Sequence, residues 1–193
     1  MKISILIVLF NFTMPVYSQD HSQVQTFLND YFKSNKKGIL YSDDIENNYI
    51  DQLIRTISTN QVKLYTNSSS HNKKPSNDII SLTDKEKEYL KKELNSQRGK
   101  LWEDNLLKSS KIISRDTLIS IFSKTFDRWE YFHKKYGESY YSFTKPIFIR
   151  DNSICFFYFS FFYDTSFAGG EFAVYKRLNG KWEYYMTIWE WTS

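Results

Sequence analysis

The chain has little of what usually staples, bends or signs a protein: one cysteine, three prolines and six glycines in 193 residues. A single cysteine, Cys155, excludes an intramolecular disulfide, so stability must come from packing. Flanked by Ile154 and the Phe156-Phe157 pair, it reads as a buried hydrophobe. No Gly-rich phosphate loop, Gly-x-Ser-x-Gly elbow, Cys-x-x-Cys or His-Glu-x-x-His sequence occurs, so no catalytic or cofactor signature is written in the chain. A mean hydropathy of −0.54 excludes a polytopic membrane protein. Charge of one sign is also lacking: the net charge is +4, and the pairs Lys36-Lys37, Lys73-Lys74, Lys91-Lys92 and Lys134-Lys135 are scattered among acids. They read as solvated faces, not as a stripe for nucleic acid.

What is abundant is aromatic. Phe, Tyr and Trp number 16, 15 and 5, and 19 of these 36 rings fall in the last 54 residues. With 41% hydrophobic and 25% charged residues, the composition is that of a soluble globular protein rather than a disordered, collagen-like or coiled-coil chain.

The first residues have the layout of a secretory leader. Lys2 supplies a positive end and Ile3 to Phe12 an apolar run about half the roughly 20 residues of a spanning helix. Val16 and Ser18 then suit cleavage before Gln19. The expectation is a leader over 1–18 and a single domain over 19–193, secreted or periplasmic, with no stable membrane insertion after cleavage. No cysteine near the cleavage point offers a lipid acceptor. Without Lys2 the net charge falls to +3.

Periodicity divides the rest of the chain. Val24, Phe27, Leu28, Tyr31 and Phe32 recur at helical spacing within His21 to Asn35. A second stripe, Ile45, Tyr49, Leu53, Ile54 and Ile57, follows Ser42 or Asp43 as its cap. Gln61 to Thr66 suggests a short strand, and Asn67 to Asp78, apolar-free with Pro75, a surface loop. Thr83-Asp84-Lys85-Glu86 is a capping box opening a helix with Tyr89, Leu90 and Leu94 on one side. Leu101-Trp102 then re-enters the core. Another helical stretch runs from Ser114 through Leu118, Ile121, Phe122 and Phe126 to Tyr136.

After Gly137 the period becomes two. Pro146 to Arg150, Ile154 to Tyr163, Glu171 to Leu178 and Lys181 to Glu190 read as four strands. The expected fold is α+β, a mainly helical N-terminal half packed on a C-terminal four-stranded antiparallel meander. Asn179-Gly180 marks a two-residue type I′ turn. It sets Leu178 opposite Lys181 and places Arg177/Trp182, Tyr175/Tyr184, Ala173/Met186 and Glu171/Ile188 on the expected core face. Lys176/Glu183, an expected ion pair, shares the other face with Val174/Tyr185, Phe172/Thr187, Trp189 and Trp191.

The runs WEYFHKKYG (Trp129 to Gly137) and SFTKPIFIRDN (Ser142 to Asn152), the Gly169-Gly170 pair, NGKW and the ending WEWTS resemble a family of small exported bacterial proteins. Its members share a Trp-x-x-Phe helix, a Ser-x-Lys-Pro-x-Phe strand, a Gly-Gly hairpin and a Trp-x-Ser end. The resemblance covers roughly residues 125–193 and implies export but no particular activity. Where many members carry cysteine and more glycine in the hairpin loop, this chain has Asp164 to Gly170.

Chemical candidates are few. Glu130 and His133 stand one helical turn apart, half of a metal site and insufficient alone, so no metal and no cofactor are expected. Glu171, on the expected apolar face, and Asp164, across the loop, are the candidate acid pair. The Gly169-Gly170 pair is read as lying in the loop, able to turn tightly or to approach a partner closely. The expected function is a non-enzymatic binding or interaction module. It would present Tyr185, Trp189 and Trp191, with Gly169 and Gly170, to a protein or a carbohydrate-like ligand, because aromatic surface exceeds what one core face needs. The alternatives are a small hydrolase-like enzyme using Asp164 and Glu171, and a secreted inhibitor or immunity protein.

Overall fold

The computed structural model describes residues 21–58, 80–103, 106–124 and 127–193. The expected leader, the strand expected over Gln61 to Thr66, the loop Asn67 to Asp78 and Phe126 lie outside the described residues. Five helices and seven strands follow in the order α1 (His21–Tyr31), β1 (Leu40–Ser42), α2 (Asn47–Ser58), α3 (Asp84–Asn95), β2 (Lys111–Ile113), α4 (Arg115–Lys124), α5 (Arg128–Lys135), β3 (Tyr140–Phe143), β4 (Ile147–Ile149), β5 (Ile154–Phe162), β6 (Ala168–Leu178) and β7 (Lys181–Thr192). The class is α+β, as expected.

The sheet corrects the expected four-stranded antiparallel meander. Seven strands form one mixed sheet in the order β2-β1-β3-β5-β6-β7, with β4 also pairing β5. β1 lies parallel to both β2 and β3, and the other pairings are antiparallel. β3 and β4 occupy the same edge of β5 in succession, Tyr140 to Phe143 facing Phe162 to Phe159 and Ile147 to Ile149 facing Phe156 to Ile154. The interruption is chemical: Pro146 has no N–H for the ladder. The Gln97 side chain stands in there, accepting from Lys145 N at 2.6 Å and donating to Lys145 O at 3.4 Å. The end of α3 is thereby tied to the sheet.

Both sheet faces are covered, which accounts for the aromatic surplus. α1 packs Val24, Phe27 and Leu28 into a core with Phe148, Phe157, Ala173 and Tyr175. On the other face α2 and α3 contribute Ile50, Leu53, Ile57, Leu90 and Leu94, packed with Phe156, Tyr158, Phe172, Val174 and Met186. α4 and α5 add a third cluster around Leu118, Ile121 and Phe132. The face expected to be free for a partner is therefore largely a second core. Cys155 is fully buried, and burial pushes its thiol pKa well up, leaving it protonated and inert. No helix among the described residues is long and apolar enough to cross a membrane.

The β6–β7 register starts as expected and then departs. Leu178/Lys181, Arg177/Trp182, Lys176/Glu183 and Tyr175/Tyr184 pair across the Asn-Gly turn. Beyond them Val174 faces Met186, Ala173 faces Thr187, Phe172 faces Trp189 and Glu171 faces Glu190. Tyr185 and Ile188 are thus extra residues in β7, two bulges that each reverse the alternation of faces. Lys176 places its ammonium 3.2 Å from the Tyr185 ring centroid, a cation–π contact in place of the expected ion pair.

The capping box is present and extended. Thr83 Oγ1 accepts from Glu86 N, and Glu86 Oε2 accepts from Thr83 N at 2.8 Å. Arg150, at φ 53° in the β4–β5 turn, donates Nε to Glu86 Oε1 at 2.7 Å and Nη2 to Ser81 O. The Arg150 hydrogen bonds, with those from Thr83, hold the Glu86 carboxyl below the usual range. A lowered native value means the contribution is complete above about pH 4.3 and fades as pH falls through that native value. Glu86→Gln is therefore expected to cost about 1 kcal/mol at pH 7 and almost nothing near pH 2. Urea unfolding of both proteins at the two pH values checks it; an equal gap at both would show that charge plays no part.

Candidate ligand-binding cleft

Parallel pairing of β1 and β2 makes the chain leave both strands at the same end of the sheet. After Ser42 it turns through Asp43-Asp44 towards α2, and after Ile113 it enters α4 directly. The space between the two helices, over the sheet, is a cleft of about 240 Å³. Small residues of neighbouring strands, Ser42 and Ser142, lie on its floor. Tyr41 pairs with Tyr141, setting Ser42 beside Ser142, and Ser142 pairs with Ser160, Ser160 with Gly170 and Gly170 with Trp191. The hydroxyls are engaged in the protein, Ser142 Oγ donating to Asp44 O and Ser160 Oγ to Ser142 O, each at 3.2 Å.

The walls are aromatic. Tyr140 and Phe162 stack at 4.6 Å with an interplanar angle of 11°. Phe122 comes from α4 and Tyr49 from α2. Tyr49 stacks on Trp191 at 5.9 Å and 15°, and Trp191 donates its indole N–H to Tyr158 Oη at 3.0 Å. Burial and then the Glu46 charge push the Tyr49 hydroxyl pKa up to about 12, and burial raises Tyr140 and Tyr158 further. All three hydroxyls stay protonated at neutral pH.

Three charged side chains complete the lining. Asp44 Oδ2 meets Arg115 Nη1 at 3.3 Å, while Asp44 Oδ1 is buried with no hydrogen-bond partner. Glu46, just before α2, is exposed at the rim. Asp43, read from the sequence as a possible cap of the second helix, instead accepts from Arg115 N at 2.9 Å and so caps α4. An unpaired carboxylate oxygen, stacking faces and a guanidinium can hold a polar ligand; none is paired as nucleophile and base.

The residues singled out from the sequence fall in several places. Trp191 adjoins the cleft. Trp189 and Tyr185 are half-buried and pack on the α2/α3 core. Gly169 and Gly170 lie inside β6 and not in the loop, a correction to the expected boundary. What approaches Gly170 is the protein's own Trp191 indole and Tyr158 hydroxyl. Asp164, in the β5–β6 loop, accepts from Ser166 N and Oγ at 2.7 and 2.9 Å, bonds that lower its pKa.

Glu171 is buried on the α1 face, where Thr187 Oγ1 donates to it and Tyr184 Oη meets the same hydroxyl at 2.6 Å. It stands three residues into β6, about 10 Å along the strand from the loop end. The structure does not bring Asp164 and Glu171 together as a carboxylate pair. His133 Nε2 lies 2.8 Å from Tyr163 O, and the described residues contain no group of three or more His, Cys, Asp or Glu suited to a metal ion. Sequence reasoning missed Asp44, Glu46, Arg115, Phe122, Tyr140 and Phe162; the Asp-Asp doublet after a short apolar triplet was the available signal.

A second cavity of about 230 Å³ lies where the start of α1 meets the end of α3, lined by His21, Glu93, Gln97, Trp102, Glu103 and Lys145 among others. Two of its polar groups are used internally, His21 on Glu103 at 3.2 Å and Gln97 on the Lys145 backbone. None of the residues singled out from the sequence for binding or catalysis lines it. The α2–α4 cleft combines the stacking rings, the orphaned carboxylate oxygen and Trp191. Compared with protein-family models, with curated proteins and with solved structures, the chain matches none.

Proposed function

We propose that the chain is exported after loss of residues 1–18 and acts as a non-enzymatic binding module, taking a small ring-shaped, carbohydrate-like ligand in the cleft between α2 and α4. The observation that carries this reading is the meeting of aromatic rings with the under-paired Asp44 carboxylate in one concavity. A sugar ring offers apolar faces to Tyr49 and Tyr140 and hydroxyl donors to Asp44. This keeps the aromatic-face reading but moves its centre. Most of the face serves the core, and what lines the cleft is Tyr140 and Phe162 of the sheet with Tyr49 from α2, Trp191 standing behind Tyr49. A hydrolase built on Asp164 and Glu171 has weaker support, because one carboxylate sits in a loop turn and the other is buried on the opposite face.

The test is titration of the ¹⁵N-labelled protein with a panel of monosaccharides. A ligand is expected to move the Arg115 amide and Trp191 indole signals, and Tyr49→Ala to weaken binding about tenfold, the order of one lost stacking contact. Affinity unchanged in a folded Tyr49→Ala protein would sink the assignment to this cleft.

A further inference from the structure

We infer that the ligand of the α2–α4 cleft is an organic ammonium, its protonated amine between the Asp44 and Glu46 carboxylates and its carbon body against Tyr49, Phe122, Tyr140 and Phe162. This rests on the reading of the cleft as a binding site and adds the charge of what binds. Four observations support it.

The first is the unsatisfied acceptor. Asp44 is only 12% exposed, its Oδ2 has a single long contact to Arg115, and its Oδ1 has no partner. A carboxylate with one oxygen buried without a donor is costly to keep charged, and a cation beside its other edge offsets that cost. The second is the charge sum: Asp44, Glu46 and Arg115 together leave the lining with one net negative charge. Arg115 is already committed to Asp44 through its side chain and to Asp43 through its backbone. The third is that the helix N-terminus that would attract an anion is occupied, since Asp43 caps α4. The fourth is the walls: Tyr49 from α2, Phe122 from α4, and Tyr140 and Phe162 from the sheet put aromatic rings on more than one side, and rings attract cations. The field of Glu46, which raises the hydroxyl pKa values of Tyr49 and Tyr140 after burial, has the same sign.

The experiment compares matched probes on the full protein by the same amide and indole signals: glucosamine against glucose, and cyclohexylamine against cyclohexanol and cyclohexanecarboxylate. Each amine is expected to bind about tenfold more tightly than its neutral counterpart, and the carboxylate most weakly. Glu46→Gln, at an exposed position, is expected to narrow the preference of each amine over its neutral counterpart about threefold. Asp44→Asn should reduce it to near unity; if that variant does not fold, Glu46→Gln decides alone. Neutral probes binding as well as amines, or the carboxylate binding best, would overturn the cation inference and leave the binding module standing. Failure of every probe to move the Arg115 and Trp191 signals at millimolar concentration would overturn both.

Discussion

Phe27→Ala is expected to cost roughly 3–5 kcal/mol, the order seen when a fully buried phenylalanine is truncated. Phe27 is 1% exposed and sits at the centre of the α1 layer. Its ring meets Phe157 at 5.1 Å, Tyr175 at 5.4 Å, Trp182 at 5.6 Å and Phe148 at 6.0 Å, all edge-on, and lies parallel to Tyr31 at 6.1 Å. The four edge-on partners come from β4, β5, β6 and β7, so one side chain joins α1 to four strands. The rings around it are held by their own strands and cannot collapse into the space, which puts the cost at the high end. For a chain of this length that loss corresponds to a fall in Tm of about 10 °C. Urea unfolding followed by tryptophan fluorescence measures it. Phe167→Ala is the control within the same experiment: at 58% exposed it should change stability by less than about 0.5 kcal/mol. A Phe27→Ala cost under about 1 kcal/mol would mean that α1 is not firmly docked on the sheet.

That first layer was legible in the sequence because its signal is local. Val24, Phe27 and Leu28 lie on one helical face whatever the helix packs against, and all three are buried. Thr83 and Glu86 are three residues apart, and their reciprocal bonds need only the helix they begin. The Asn-Gly turn specified four cross-strand pairs for the same reason. Register was lost where the cause ceased to be local. The bulges at Tyr185 and Ile188 bring Met186, Thr187 and Trp189 opposite Val174, Ala173 and Phe172, and nothing in the alternation of the strand announces an extra residue. β1 and β2 are three residues each, too short for a period, and their pairing joins Leu40 to Lys111. Only the folded chain makes them neighbours.

The cleft inherits that illegibility. Asp44 and Arg115 meet because β1 and β2 are parallel; Ser142 and Phe162 join them because β3 crosses from β1 to β5. A reading of residue types could place rings on a face but not say which helix would cover them. Trp191 is the exception: alternation from the Asn-Gly turn puts it on the aromatic face, and it does adjoin the cleft. It lies beyond the bulges, where the paired reversals have restored the parity that the turn alone predicts.

Gly170→Ala tests how firmly the core is joined to that tryptophan. A Cβ at Gly170 would lie 2.4 Å from Trp191 Nε1 and 2.8 Å from Tyr158 Oη. Alanine in a strand ordinarily gains about 0.5–1 kcal/mol over glycine through the unfolded chain. Here the gain is outweighed, because Tyr158 is fully buried and the indole is stacked on Tyr49. The indole must move, giving up its 3.0 Å bond to Tyr158, and a net loss of about 1–2 kcal/mol is expected. The decisive measurement is the cycle with Trp191→Ala. If the methyl collides with the indole, Gly170→Ala becomes neutral or slightly stabilising once Trp191 is gone, a coupling of about 2 kcal/mol. Additive costs would mean that the strand shifts and the indole stays. The same four proteins titrated with glucosamine separate stability from binding. A displaced indole also disturbs the Tyr49 ring it stacks on, so Gly170→Ala should weaken the ligand about as much as Trp191→Ala does, and the double variant no further.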